Sequence, residues 1–250
     1  MRNNLRITFK KGELTTQQIV TLIVLIVSFA VILFLLDRLN LGGISDSEVC
    51  HNSVVNSGKS AFGGTLNCKT KYLCISGGGD CNELSSSETF EINLKSQNAK
   101  NEVIKKISDE MSNCWWIFGE GKINYLLSDA KGYHCAICTT IKFDKTIQDK
   151  IGKISYSELY SFFEKNKKDS PQTYLQYFYG LSTMNDLTSS DFMEKRASLG
   201  RDIDLEKKFA VVTGINPNFP SSDSLIPPFF VEQPGGLPNL ECEIFDITSG

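Results

Sequence analysis

The feature that most limits what this chain can fold into is an uncharged run that opens at Leu14 and closes at Leu36. No Lys, Arg, Asp, Glu or His interrupts it, and from residue 19 to 36 only Thr21 and Ser28 are polar. Neither is costly in a helix, because a hydroxyl bonds back to the backbone. At about 1.5 Å per residue the 23 residues would span roughly 34 Å, against about 30 Å for a bilayer core. A soluble helix of that length carries a polar stripe, and this run has none. Residues 14–36 therefore read as a transmembrane helix whose partner is the lipid bilayer.

Charge sets the expected orientation. Arg2, Arg6, Lys10 and Lys11 precede the run with Glu13 as the only acid, and Asp37, Arg38, Asp46 and Glu48 follow it. Basic flanks stay in the cytoplasm. The expected localisation is a cell membrane, single-pass, with the N-terminus cytoplasmic and the chain from about residue 37 extracytoplasmic. A cleaved secretory signal would have an apolar region of about 7–15 residues and a small-residue cleavage site. Here the run ends in Leu33-Phe34-Leu35-Leu36-Asp37 with no Ala-x-Ala pattern, which favours an uncleaved signal-anchor.

Domain organisation follows. Residues 1–13 are a cytoplasmic basic tail, 14–36 the membrane helix, 37–48 a linker, and 49–250 a Cys-rich α+β ectodomain. Beyond residue 36, 22 Lys+Arg stand against 28 Asp+Glu, a net charge of −6. That balance argues against nucleic acid or an anionic membrane surface as a partner. All eight cysteines lie beyond the apolar run: Cys50, Cys68, Cys74, Cys81, Cys114, Cys135, Cys138 and Cys242. An even count in an exported segment reads as structural disulfides. Their connectivity stays open.

Within the ectodomain, the stretch from Cys50 to Cys81, with Gly63-Gly64 and Gly77-Gly78-Gly79, reads as a stapled loop region with a short strand at 72–75. Residues 89–94 alternate as a strand. Val103, Ile104, Ile107, Met111, Cys114, Trp115 and Phe118 recur at helical spacing, with Lys105, Lys106, Asp109 and Glu110 assigned to the other face. Residues 133–143 read as a strand with Tyr133, Cys135, Ile137, Thr139, Ile141 and Phe143 on one face. Ser155-x-x-Glu158 is a capping box opening a helix to about Asn166. Residues 171–180 read as an aromatic helix and 208–213 as a strand. Six of the seven prolines fall between Pro217 and Pro238, so 216–239 is expected to be an extended loop. A last strand is expected over 240–247.

Chemistry-bearing motifs are few. Cys135-Ala136-Ile137-Cys138 has redox spacing, but a thioredoxin-type site sits at a helix N-terminus, and here the surroundings are strand-forming. On a strand the two thiols face opposite ways, so two separate structural bridges are expected. No second close Cys pair or His-x3-His completes a zinc site, and no cofactor is expected. His51 follows Cys50 in a linker, and His134 lies opposite the apolar strand face. Gly77-Gly78-Gly79-Asp80 lacks the Lys-Ser/Thr of a phosphate loop and reads as a turn. Trp116 lies about 100° round the helix from Trp115, so it covers a second contact such as the Pro-rich loop, or forms a partner surface.

Lys10-Lys11-Gly12-Glu13, followed by Thr15-Thr16-Gln17-Gln18 and the apolar run, resembles the N-terminus of type IV pilin-like proteins, archaeal pilins and archaellins included. The resemblance covers about 25 residues. It implies leader cleavage between Gly12 and Glu13 and assembly through the helix. The acid usual at the fifth position after cleavage is replaced by Gln17. The ectodomain also resembles single-pass archaeal membrane proteins of uncharacterised activity that carry a similar Cys114-Trp115-Trp116 segment. The expected function is a non-enzymatic structural or interaction role in the cell envelope, with possible protein partners or self-association. The alternatives are a type IV pilin-like filament subunit and an envelope thiol-disulfide oxidoreductase.

Overall fold

The computed structural model describes residues 16–38, 45–59, 65–81, 84, 88–126, 132–168, 171–188, 202–216, 225–233 and 242–244. The chain divides into two compact units, Met1–Ser45 and Asp46–Gly250.

In the first unit, helix α1 (Thr16–Arg38) takes up the uncharged run. Its side chains are described over 17–32, and all are exposed. Thr21 and Ser28 donate their hydroxyls to the carbonyls of Gln17 and Val24 one turn back, as expected for hydroxyls in an apolar helix. Among the described residues no helix is long and apolar enough to cross a membrane. The basic tail, Gly12 and Glu13 lie outside the described residues.

The second unit is a mixed α/β domain. Its helices are α2 (Asp46–Lys59), α3 (Ala99–Ile117), α4 (Lys145–Ile151), α5 (Tyr156–Lys165), α6 (Tyr174–Tyr179) and α7 (Met184–Thr188). Its strands are β1 (Lys71–Ser76), β2 (Glu88–Glu91), β3 (Tyr133–Phe143), β4 (Lys153–Ser155), β5 (Asp202–Asp204), β6 (Lys208–Ile215), β7 (Leu225–Gln233) and β8 (Cys242–Ile244). The main sheet runs β2-β1-β3-β6-β7, and β4-β5 is a separate two-stranded ribbon. β2, β1, β3 and β8 are mutually parallel where paired, and β6 is antiparallel to both β3 and β7. β1 pairs with residues 139–143 of β3 and β8 with residues 133–135. The two therefore lie end to end along one edge of β3 while β6 occupies the other.

The core sits on one face of this sheet, under α3. Leu73, Ile75, Ile141, Phe143, Phe209, Val211 and Phe230 of the strands meet Val103, Ile107, Met111 and Cys114 of the helix. A smaller cluster of Cys135, Ala210, Val212, Ile226 and Phe229 lies on the other face. The Ser155-x-x-Glu158 box opens α5 as expected, and a second box, outside the sequence expectations, opens α6. Ser155 and Glu158 cap α5 reciprocally, Thr173 and Gln176 do the same for α6, and Gly180 in the left-handed region ends α6.

Four expectations are corrected. Residues 46–59 are the helix α2, not linker and loop. Their polar sequence hid it, because only Cys50, Val54 and Ser57 are buried. The 89–94 strand is shorter, Glu88–Glu91. The single face assigned to β3 is broken by a bulge: Ile137 pairs with Val212 but Thr139 with Val211, leaving Cys138 as the extra residue. Tyr133, Cys135 and Ile137 therefore face the smaller cluster while Thr139, Ile141 and Phe143 face α3. Lastly, the Pro-rich loop contains strand β7. Pro227 and Pro228 fit because β7 is an edge strand and its register shifts there, Val212 pairing with Phe229 and Gly214 with Ile226. The rest of 216–239, apart from Asn216, lies outside the described residues, as does the final strand beyond Ile244.

Candidate functional site

The cysteines come together in four bridges, Cys50–Cys68, Cys74–Cys81, Cys114–Cys138 and Cys135–Cys242, and none is free. Each has a distinct mechanical task. The first ties α2 to the segment leading into β1. The second closes the Gly-rich loop after β1. The third bolts α3 onto β3, and the fourth holds β8 beside β3. Cys135 and Cys138 thus take separate partners on opposite faces of one strand, so the disulfide a Cys-x-x-Cys oxidoreductase would use is not formed. Gly214 makes the fourth bridge possible. It pairs with Cys135, and a Cβ there would come within 2.8 Å of the Cys135 Sγ and 2.6 Å of the His134 carbonyl.

The Gly77-Gly78-Gly79 turn has the backbone geometry to hold an anion, and the anion is the chain's own. Asp144 Oδ2 accepts from Gly77 N at 3.1 Å, Gly79 N at 2.7 Å and Ser76 Oγ at 2.9 Å. Oδ1 accepts from Ile147 N at 2.8 Å, capping α4. Asp144 is 1% exposed. Burial alone would raise its pKa, but the bonds from Ile147, Thr146, Ser76 and Gly79 outweigh it and hold the carboxyl below the usual aspartate range. A side chain on Gly79 would meet Asp144 Oδ2 at 2.8 Å.

A four-charge network lies between α3 and the β2-β1-β3 edge. Glu110, 4% exposed, receives Lys71 Nζ at 2.9 Å, Lys106 Nζ at 2.8 Å and Thr139 Oγ1 at 3.1 Å. Glu88 pairs with the same two lysines, at 2.6 Å to Lys71 and 3.4 Å to Lys106. Burial would lower the Lys71 pKa, but Glu88 and Glu110 raise it above its ordinary value. Burial would raise Glu88, but Lys71 and Lys106 lower it. Every charge is matched, which suits a structural network better than a reactive one. The solvent face assigned to Glu110 and Lys106 is thereby corrected. Glu110 falls three residues after Ile107 and four before Cys114, inside the apolar stripe, and that spacing was its signal. Lys71 and Glu88 carried no comparable signal, since their partners are distant in sequence; for Asp144 the cap on Ile147 is local, but the Gly77–Gly79 turn it also holds is not.

Trp116 meets His51 of α2, not the Pro-rich loop. The rings stack with centroids 4.1 Å apart and an interplanar angle of 13°. His51 Nδ1 lies 2.9 Å from the Trp116 carbonyl and 3.2 Å from that of Ile117. Two carbonyl neighbours require Nδ1 to carry the proton, so His51 caps the last turn of α3. Both residues stay partly exposed. His134 lies 3.6 Å from Glu243 across the β3–β8 pair.

Comparison with protein families, with curated proteins and with solved structures found no match to this chain.

Proposed function

We propose that this chain is a single-pass membrane-anchored protein whose disulfide-stapled domain works outside the cytoplasm, in a structural or interaction role in the cell envelope. The observation that carries this reading is the cysteine usage. All eight cysteines lie beyond the apolar run and all are paired, which fits an oxidising compartment. The charge asymmetry around 14–36 supports the same orientation. The half-buried Trp116–His51 stack is the candidate contact surface. The test is protease added to intact spheroplasts of the native cell. Degradation of the domain beyond residue 37 is expected. Protection until lysis would reject the orientation.

The pilin-like reading rests on Lys10-Lys11-Gly12-Glu13 and the helix that follows. In it the charged tail is removed and α1 packs among copies of itself. The amine created at Glu13 would lack an acid at Gln17 to pair with, and an unpaired charge in an apolar filament is costly. We therefore favour the uncleaved anchor. N-terminal sequencing of native protein decides between them. A start at Glu13, with the chain recovered in sheared filaments, would replace the anchor by the pilin reading.

A further inference from the structure

Between α3 and α5 runs an open groove of about 860 Å³, with Met184 also in its lining. Its walls are helical ridges. Asn98, Asn101 and Lys105 line the α3 side, and Glu158, Ser161 and Phe162 the α5 side. The charges on these walls are largely cancelled: Lys100 Nζ lies 2.6 Å from Glu158 Oε1, and Lys105 Nζ 2.7 Å from Asp109 Oδ2. By contrast, among the described residues no group bonds the side chains of Asn101, Glu102 or Ser161. The half-buried Phe162 ring lies beside them. The groove thus presents an amide, a carboxylate and a hydroxyl next to an apolar ring, without a net field.

That chemistry selects a class of ligand. A phosphate or a polyanion needs several unmatched Lys or Arg side chains. Of the three lining lysines, Lys100 and Lys105 are matched, which leaves Lys165 alone, with Glu102 of opposite charge also in the lining. An amphipathic helix needs a row of apolar anchors at i, i+3, i+4 and i+7, and Phe162 and Met184 do not make one. A neutral sugar offers vicinal hydroxyls that both donate and accept, and a C–H face that packs on a ring. An open trough suits a segment of a chain better than an enclosed metabolite. We propose that the α3–α5 groove binds a neutral oligosaccharide. The proposal rests on the reading of an outward-facing domain, where envelope glycans are met, and it names the partner of that domain.

The test uses the purified full-length chain in a detergent without a sugar headgroup, titrated with cello-, malto- and chito-pentaose by ligand-observed NMR. Because binding is read on isolated protein, its failure is separate from failure of the spheroplast result. Binding of at least one probe is expected, with a Kd on the order of 1 mM. Asn101→Ala removes one wall amide and should weaken that binding roughly tenfold, as losing one hydrogen bond does. Ser161→Leu fills the trough and should abolish it. Both positions are on the groove surface, and an unchanged thermal midpoint shows that each variant is folded. The proposal is overturned if no probe binds at about tenfold above that concentration. It is also overturned if folded Ser161→Leu binds as well as the parent, or if dextran sulfate binds where the neutral sugars do not.

Discussion

At Asp144 one carboxylate organises two segments that are far apart in sequence, the Gly77–Gly79 turn and the first turn of α4. Asp144→Asn keeps the shape but turns one acceptor oxygen into a donor facing N–H groups. A loss of about 2–3 kcal/mol is expected, in the range for hydrogen bonds to a buried charged group, read from urea unfolding at pH 7. The pH dependence has a definite sign. The folded pKa is below the ordinary aspartate value, so the carboxylate's contribution is present above the ordinary value and is lost as pH falls through the folded pKa. Asp144→Asn should remove that part of the acid sensitivity, and an unchanged acid limb would refute the assignment. Glu110 is the second residue of this kind. Glu110→Gln would leave Lys71 and Lys106 to Glu88 alone, at an expected cost of about 3 kcal/mol. Lys71 is raised and Glu88 lowered. The network is therefore intact between the ordinary carboxylate and lysine ranges, about pH 5 to 10. It weakens below that window as Glu88 protonates and above it as Lys71 loses its proton.

Among the elements, the edge strand β7 shows how a proline-rich segment becomes part of a sheet. Its outward carbonyls are engaged by tyrosines, Tyr156 OH to Phe230 O at 2.9 Å and Tyr179 OH to Pro228 O at 3.1 Å. These bonds cover an edge that would otherwise template another strand. Tyr156→Phe should cost about 1 kcal/mol and increase amide exchange in β7 more than in β3, as hydrogen exchange would show. At the opposite edge each residue of β2 is exposed, and the charge of Glu91 on it discourages self-pairing. The α3–β3 bolt is the other device at this scale. Removing it as Cys114→Ala with Cys138→Ala opens a loop of 24 residues. About 3 kcal/mol should be lost on the chain-entropy account, with the fall in urea midpoint as the readout.

For the whole molecule the bridges make the most discriminating prediction. Non-reducing peptide mapping of the purified chain should recover Cys50–Cys68, Cys74–Cys81, Cys114–Cys138 and Cys135–Cys242 and no free thiol. A Cys135–Cys138 peptide would contradict this arrangement and revive the oxidoreductase alternative. The Cys135–Cys242 bridge spans 107 residues, the longest loop of the four. On the entropic account it contributes most to stability, about 4–5 kcal/mol.

The sequence by itself determined what depends on neighbours within a turn or a strand's alternation. The capping box at Ser155, the apolar stripe of α3, the strand 133–143 and the even cysteine count all rest on short-range periodicity or simple number, and they are visible without a fold. Even there the signal was partial: Glu110 had the spacing of a core position, yet its charge argued for solvent. Tertiary structure alone decided what depends on partners far along the chain. It chose one disulfide pairing out of many, and it made 46–59 a helix by burying one sparse face. It also placed the Cys138 bulge that exchanges the faces of β3 and gave Asp144 to the Gly loop. The reason is physical. A buried charge, a bulge or a polar helix is stable only when groups tens of residues away supply its hydrogen bonds or cover its one apolar face, and no local window of sequence contains those groups.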